Sequence, residues 1–187
     1  VEEWISFFSC LEYTGLQQDL TAGSRSLPVR CRDNNNKERM MIMDKNRLIM
    51  EFGCDARNEA VARVVVAAMM TRTNPTLSEV EDVKTAVSEA VTNSIIHGYG
   101  ADGGSIVLES YIEDRTIYIT VTDHGCGIEN IEKAMEPMYT TVTDGSRSGM
   151  GFSFMEAFMD ELDVESVKGE GTTVRMKKII GNSQEMY

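Results

Sequence analysis

A carboxylate and an amide side chain on one predicted helix form the first candidate functional pair in the sequence. Glu89 and Asn93 stand four positions apart in Ser88-Glu89-Ala90-Val91-Thr92-Asn93. Residues at this spacing project from the same helix face, about one turn apart. The Asn carbonyl oxygen is a hard ligand suited to Mg²⁺, and a nearby carboxylate can accept a hydroxyl proton. Such a pair is also common on solvated helix surfaces, so it indicates a functional site only together with other motifs.

A second candidate is the sequence Asp123-His124-Gly125-Cys126-Gly127, which follows a predicted strand. The carboxylate of Asp123 can accept a hydrogen bond from an exocyclic amine such as that of adenine. Gly125 and Gly127 allow the backbone to approach a ligand closely or to adopt positive φ. The same pattern occurs in plain turns, and by itself it does not define a site.

The third candidate is Arg147-Ser148-Gly149-Met150-Gly151-Phe152, where two glycines open a predicted helix. Free amides at a helix start attract phosphate through hydrogen bonds and through the helix dipole. Asp123 follows Asn93 by 30 residues, and Gly149 follows Asp123 by 26. The three motifs in this order predict a pocket for a nucleotide and Mg²⁺.

The hydrophobic pattern indicates the elements that must position these motifs. Apolar alternation predicts strands at 48–53, 105–112, 116–122, 163–167 and 172–178. Helical spacing and capping signals predict helices at 58–71, from Thr76 or Ser78 to His97 with Gly98 as the stop, at 128–135 and at 151–159. A long polar loop fills 136–148. The fold class is therefore α/β: a two-layer sandwich with a mixed, mostly antiparallel sheet and helices on one face.

Composition limits the classes of function. The 187 residues, 42% hydrophobic and 26% charged, suit one globular core. A net charge of −12 argues against direct nucleic-acid binding, which needs clustered basic residues. No apolar run is long enough for a membrane span, and the start of the chain lacks the basic residues of a secretory signal, so we expect a cytoplasmic protein. The four cysteines form no C-x-x-C pair and are interpreted as reduced thiols.

The chain is predicted to have three parts. Residues 1–42 have an irregular pattern and are expected to be a poorly ordered extension, residues 43–180 form the domain, and residues 181–187 form a tail. An alternative for the extension is a partner-binding peptide that uses Trp4, Phe7 and Phe8.

At the level of these motifs, residues 43–178 resemble the ATP-binding family shared by DNA gyrase, the Hsp90 chaperones, histidine kinases and MutL, whose fold is named Bergerat. Within it, the closer resemblance is to anti-sigma kinases of sporulation. That resemblance is carried by three stretches, which are Ser88–Asn93 with Ile96-His97-Gly98-Tyr99, Pro137-Met138-Tyr139-Thr140-Thr141, and Arg147–Phe152.

The resemblance implies roles for individual residues. Asn93 would hold Mg²⁺, Glu89 would act as the base toward a substrate serine, and Asp123 would bind the adenine amine. The remaining nucleotide contacts would come from Gly125, Gly127, Arg147, Gly149, Gly151 and Thr172, with 136–148 as a lid over ATP. Glu59 and Arg63, one turn apart on the first predicted helix, match positions near the family's partner surface.

The resemblance also implies partners. The protein would be a homodimeric serine kinase that binds a sporulation sigma factor of the sigma F type and phosphorylates an anti-anti-sigma protein. Two alternatives stay open: an anti-sigma kinase of the general stress response, and an ATP-gated module that sequesters its partner without phosphate transfer. A histidine kinase fragment is disfavoured because no helical hairpin with a phospho-accepting histidine precedes the motifs, and the length disfavours gyrase-like or chaperone ATPases.

Overall fold

The structure is a computed structural model that describes residues 29–32, 38–43, 46–100, 103–136 and 149–181. Its strands are β1 (Val29–Arg32), β2 (Glu38–Met43), β3 (Arg47–Gly53), β4 (Ser105–Glu113), β5 (Thr116–Asp123), β6 (Glu161–Val167) and β7 (Gly171–Ile179). Its helices are α1 (Arg57–Met70), α2 (Leu77–Asn93), α3 (Ile131–Met135) and α4 (Gly151–Phe158). A 3₁₀ turn at Thr71–Thr73 follows α1, and a π-helical turn at Ser94–Tyr99 follows α2.

The described strands form one sheet in the order β1-β2-β3-β4-β5-β7-β6. Every neighbouring pair in this order is antiparallel, which confirms the predicted largely antiparallel sheet and gives it no parallel pair among these strands. The last strand, β7, inserts between β5 and β6, so that Thr172 stands directly beside Asp123.

One face of the sheet is covered by helices. Alternate residues of β3, β4 and β5 are buried, among them Leu48, Leu108 and Ile119. The facing helices contribute Val66 from α1 and Val87 from α2 to the same apolar core. This is the two-layer α/β sandwich that the period-2 and period-3.6 patterns predicted. Within the described ranges, no helix is both long and apolar enough to cross a membrane.

The end of the second helix differs from the prediction. Thr76 caps α2 as expected, but Gly98 does not stop the helix, because the π-helical turn continues to Tyr99 and the chain reverses at Gly100 with φ of 55°. A Cβ atom on Gly98 would lie 2.9 Å from Oδ1 of Asp123. Glycine is therefore needed at position 98 for a close approach to β5.

The third helix begins later than predicted, and two strands precede the first predicted strand. The third helix begins at Ile131, three residues later than predicted, because the Asn130 side chain caps it by accepting a hydrogen bond of 2.8 Å from the Lys133 amide. The strands β1 and β2 lie in the range that was expected to be irregular, and β2 pairs with β3. The aromatic residues Trp4, Phe7 and Phe8 lie outside the described residues.

Candidate functional site

Four segments that are distant in the sequence line one cavity of about 640 Å³. This volume is within the range of small-molecule and cofactor sites. The cavity brings together seven of the predicted nucleotide residues, which are Glu89, Asn93, Asp123, Gly127, Gly149, Gly151 and Thr172. Arg147 and the rest of the predicted lid from 137 to 148 lie outside the described residues.

The start of α4 lies against the Glu89 and Asn93 face of α2. A Cβ atom on Gly151 would be 3.0 Å from Oε2 of Glu89 and 3.2 Å from Nδ2 of Asn93. Only glycine fills this position without displacing one of the two side chains. The acid, the amide and the first amides of α4 therefore share one small volume, as a phosphate and Mg²⁺ would require.

The carboxylate of Asp123 lies at the other end of the cavity. The residue is 3% exposed. Its Oδ2 accepts a hydrogen bond of 2.8 Å from the Ser94 hydroxyl, and its Oδ1 accepts one of 3.0 Å from the Gly125 amide. A carboxylate has about four lone-pair sites, so acceptor capacity is left for a donor in the cavity.

The loop after Asp123 is fixed against the π-helical turn. The amide of Cys126 donates a hydrogen bond of 2.8 Å to the carbonyl of Gly98. A Cβ atom on Gly125 would lie 2.2 Å from that same carbonyl oxygen. Gly125 does not line the cavity, and its role in the structure is to let the two backbones approach.

Thr172 connects the carboxylate end to the neighbouring hairpin. Its hydroxyl shares a hydrogen bond of 2.9 Å with the hydroxyl of Ser166, which also accepts one of 2.7 Å from the Ile128 amide. Thr172 thus lies beside Asp123 on the sheet and supports the loop that leads from Asp123 to α3.

Several residues of the cavity were not predicted, namely Ser94, Asn130, Lys133 and Lys168. Ser94 directly follows the Glu89–Asn93 helix, yet its partner Asp123 is 29 residues away, so no local pattern indicates the contact. Lys168 bonds Glu129 at 2.7 Å at the mouth of the cavity, and this hydrogen bond lowers the pKa of the Glu129 carboxyl group. Lys133 and Lys168 add positive charge to a lining that also carries the carboxylates of Glu89, Asp123 and Glu129.

Glu59 and Arg63 lie on α1, outside the cavity. Their side chains form an i,i+4 ion pair with 3.5 Å between Oε1 of Glu59 and Nε of Arg63. The same oxygen accepts a hydrogen bond of 2.6 Å from the hydroxyl of Ser88 on α2. The predicted partner residues are therefore linked to the helix that carries Glu89.

The cavity is suited to a metal ion shared with a ligand. In the part of the chain that the structure describes, no group of three or more His, Cys, Asp or Glu side chains could hold an ion alone. Mg²⁺ in proteins keeps several waters and takes one or two protein oxygens together with substrate phosphates. The side-chain oxygen of Asn93, which would lie 3.4 Å from a Cβ atom on Gly151 at the start of α4, fits that pattern.

The chain is similar in sequence to one family of domains and to several named proteins. Residues 54–178 match the family described as histidine kinase-like ATPase domain. The anti-sigma F factor of Clostridium acetobutylicum is 55% identical over 136 residues, which are 73% of this chain and 95% of that protein. The anti-sigma F factor of Clostridium botulinum strain Eklund 17B is 56% identical over 137 residues, 73% of this chain and 96% of that protein.

Another relative and one solved structure are also similar to this chain. The anti-sigma F factor of Thermoanaerobacter sp. strain X514 is 51% identical over 139 residues, 74% of this chain and 97% of that protein. The catalytic domain of the histidine kinase ThkA is similar in structure with a TM-score of 0.45 and 18% identity, over 71% of this chain and 95% of that one. From the matched domain and the identity to these relatives, the chain belongs to the anti-sigma F factor family of histidine kinase-like ATPase domains.

Proposed function

We propose that this protein is an anti-sigma factor and a serine protein kinase. It binds and inhibits a sporulation sigma factor, and it uses ATP to phosphorylate a serine of the anti-anti-sigma protein that opposes it. The observation that carries the proposal is the single cavity that joins Glu89, Asn93, Asp123 and Gly151. The names of the relatives supply the sigma-factor partner.

The cavity divides into two ends with different roles. Asp123 accepts the adenine amine, with Gly127 and Thr172 beside it. At the other end, Asn93 holds Mg²⁺, while Arg147 and the amides near Gly149 and Gly151 meet the phosphates. Bound Mg²⁺ neutralises charge on the phosphate oxygens. The residues of the chain position the nucleotide, and positioning supplies most of the catalysis in phosphoryl transfer.

Glu89 is the residue that separates a kinase from a passive nucleotide binder. Its Oε2 lies beside the start of α4, within the volume assigned to the phosphates. A carboxylate there can accept the proton of an incoming serine hydroxyl as the oxygen attacks phosphorus. An ATP-gated module that only sequesters its partner would need the other residues of the cavity but no base.

The decisive experiment replaces the carboxylate of Glu89 by an amide. Glu89→Gln removes the base but keeps the size of the side chain, so we expect ATP affinity within about threefold of the parent and phosphorylation of the anti-anti-sigma protein slowed by about 10²-fold or more. Glu156→Gln makes the same change on the exposed side of α4 and is expected to alter neither quantity. Equal rates for Glu89→Gln and the parent would exclude Glu89 as the base.

The partner and the assembly are tested separately. Sigma factors of the sporulation and general-stress types are mixed with the protein in ATP and in ADP, and the anti-anti-sigma protein is then added. We expect capture of the sporulation type, release by the added protein, and a homodimer by sedimentation. Preference for the stress type would assign the protein to the general stress response. We place the protein in the cytoplasm, where these partners act.

A further inference from the structure

The π-helical turn Ser94–Tyr99 and the loop 123–126 are joined by four hydrogen bonds. The Ser94 hydroxyl bonds Asp123 at one end, and the Tyr99 hydroxyl accepts a hydrogen bond of 2.8 Å from the amide of His124 at the other. Between them, the amide and the thiol of Cys126 donate to the carbonyls of Gly98 at 2.8 Å and His97 at 2.9 Å. A π-helical turn is rare and is often found at functional sites.

Ser94 acts directly on the carboxylate. The residue is 4% exposed, and its hydroxyl donates to Oδ2 of Asp123. Together with the Gly125 amide on Oδ1, it fixes both oxygens and prevents rotation of the carboxylate. The strength of a hydrogen bond to a ligand falls steeply with misalignment, so a fixed carboxylate binds one donor position far better than a rotating one.

Tyr99 acts through the backbone beside Asp123. Its hydroxyl donates a hydrogen bond of 2.6 Å to the carbonyl of Ser105 at the start of β4 and accepts the one from His124. A tyrosine hydroxyl is protonated at neutral pH and can donate, and burial raises the pKa of Tyr99 further. The peptide that leaves Asp123 is thereby tied to the sheet. A Cβ atom on Gly104 would lie 2.1 Å from the Tyr99 ring, which shows how closely the ring is held.

We propose that Ser94 and Tyr99 are positioning residues that aim the Asp123 carboxylate at the exocyclic amine of the base and so set the preference for adenine nucleotides. This inference rests on the proposed ATP site. It adds to that site two residues with no direct part in phosphate transfer. The loss of the Ser94 hydroxyl releases Oδ2 of Asp123, and the loss of the Tyr99 hydroxyl releases the His124 amide beside it. Either change weakens the alignment of the carboxylate, so binding energy is lost only for a nucleotide that donates from this position.

The test compares ATP with purine riboside triphosphate, which has the same sugar and phosphates but no amine on the base. Titration calorimetry on the full chain with Mg²⁺ gives both affinities. A hydrogen bond to a charged group corresponds to a preference of about 10- to 100-fold for ATP in the parent protein. Ser94→Ala and Tyr99→Phe are each expected to reduce this preference about fivefold or more, with the affinity for purine riboside triphosphate nearly unchanged.

The control is Tyr118→Phe, the same chemical change on the opposite face of the sheet, where Tyr118 stacks on Tyr111 with 4.5 Å between ring centres. It is expected to keep the parent preference. Equal weakening of both nucleotides in Ser94→Ala and Tyr99→Phe would assign the two residues a general structural role and overturn the inference, while the ATP site would stand. A parent protein that binds neither nucleotide would overturn the ATP site and the inference together.

Discussion

The hydroxyl of Ser88 donates a hydrogen bond of 2.6 Å to Oε1 of Glu59. This bond crosses from α2 to α1 and reaches a carboxylate whose side chain is 18% exposed and which also pairs with Arg63. Ser88 directly precedes Glu89 on α2. The residue that bonds the predicted partner surface is therefore the sequence neighbour of the predicted base. The orientation of Glu59 thus depends on a residue that a partner on α1 need not touch.

The Ser88→Ala variant tests this link. Loss of a hydrogen bond to a charged group costs about 1 kcal/mol at a partly exposed site, so we expect sigma-factor affinity to fall about fivefold while ATP affinity stays within twofold. Ser78→Ala, on the exposed first turn of the same helix, serves as the control. If Glu59→Ala abolishes sigma-factor binding but Ser88→Ala has no effect, the bond does not position Glu59 for the partner.

The Asp123→Asn variant tests the adenine end of the cavity. The amide keeps the shape of the side chain, and with its oxygen on the Gly125 amide its NH₂ group can donate to the Ser94 hydroxyl. The NH₂ group cannot accept from the amine of the base, and the charge that strengthens the bond to the base is lost. We expect ATP affinity to fall by about 10- to 100-fold, measured by calorimetry. An unchanged affinity would mean that adenine binds elsewhere.

The Gly151→Ala variant tests the phosphate end without adding charge. Its new methyl group would lie 3.0 Å from Oε2 of Glu89 and 3.2 Å from Nδ2 of Asn93, so one of these side chains must move. Alanine is a better helix former than glycine by about 1 kcal/mol. This gain in helix propensity offsets part of the destabilisation that the crowded methyl group causes. We therefore expect a small change in the thermal midpoint together with a loss of about tenfold or more in the rate of phosphorylation.

Two measurements decide the Gly151 prediction. Thermal unfolding reports on the helix, and single-turnover phosphorylation reports on the site. Glu156→Ala adds helix propensity at an exposed position of α4 without crowding, and it is expected to leave the rate unchanged. A Gly151→Ala protein with the full rate would show that the start of α4 can shift freely away from Glu89.

The elements that the sequence predicted best are those with strong periodicity. The alternation of Leu48, Met50 and Phe52 and the helical spacing of Val83, Val87 and Ala90 each reflect one buried face, and both elements are present. The nucleotide residues were predicted from the order of three motifs. The structure brings those motifs into one cavity, although each motif alone is common in proteins.

What the sequence did not predict depends on contacts between distant segments. The sequence predicts a helix stop at Gly98 because glycine often follows a helix, whereas in the structure this glycine allows the close approach of the Asp123 side chain. Ser94 meets Asp123 across 29 residues of sequence, and Lys168 reaches the cavity from the turn between β6 and β7, where it bonds Glu129. Periodicity reports which face of an element is buried, and it contains no information on which element buries it.

Glu79 ties the start of α2 to the end of the described chain. Its Oε2 accepts hydrogen bonds of 2.7 Å from the amide and 2.9 Å from the hydroxyl of Thr76, and its Oε1 accepts one of 2.5 Å from the amide of Gly181. Burial alone would raise the pKa of this carboxyl group. The bonds from Thr76 and Gly181, with the nearby charge of Lys178, outweigh burial and lower the pKa below its usual value.

A lowered pKa makes the contribution of Glu79 to stability dependent on pH. The unfolded chain takes up a proton at a pH of about 4.3, whereas the folded protein resists it to lower pH, so the contribution is complete above about pH 5.5 and is lost as the pH falls through the folded pKa. At pH 7, Glu79→Gln replaces bonds to a charged carboxylate by weaker bonds to an amide and leaves the amide of Thr76 or Gly181 without its partner, so it is expected to lower the free energy of unfolding by about 1–3 kcal/mol. Urea titrations should show this difference narrowing at pH 4. Glu81→Gln, at an exposed position of α2, is the control, and its free energy of unfolding should differ from that of the parent by less than about 1 kcal/mol. If the Glu79→Gln variant were less stable than the parent by the same amount at pH 7 and at pH 4, the lowered pKa of Glu79 would be contradicted.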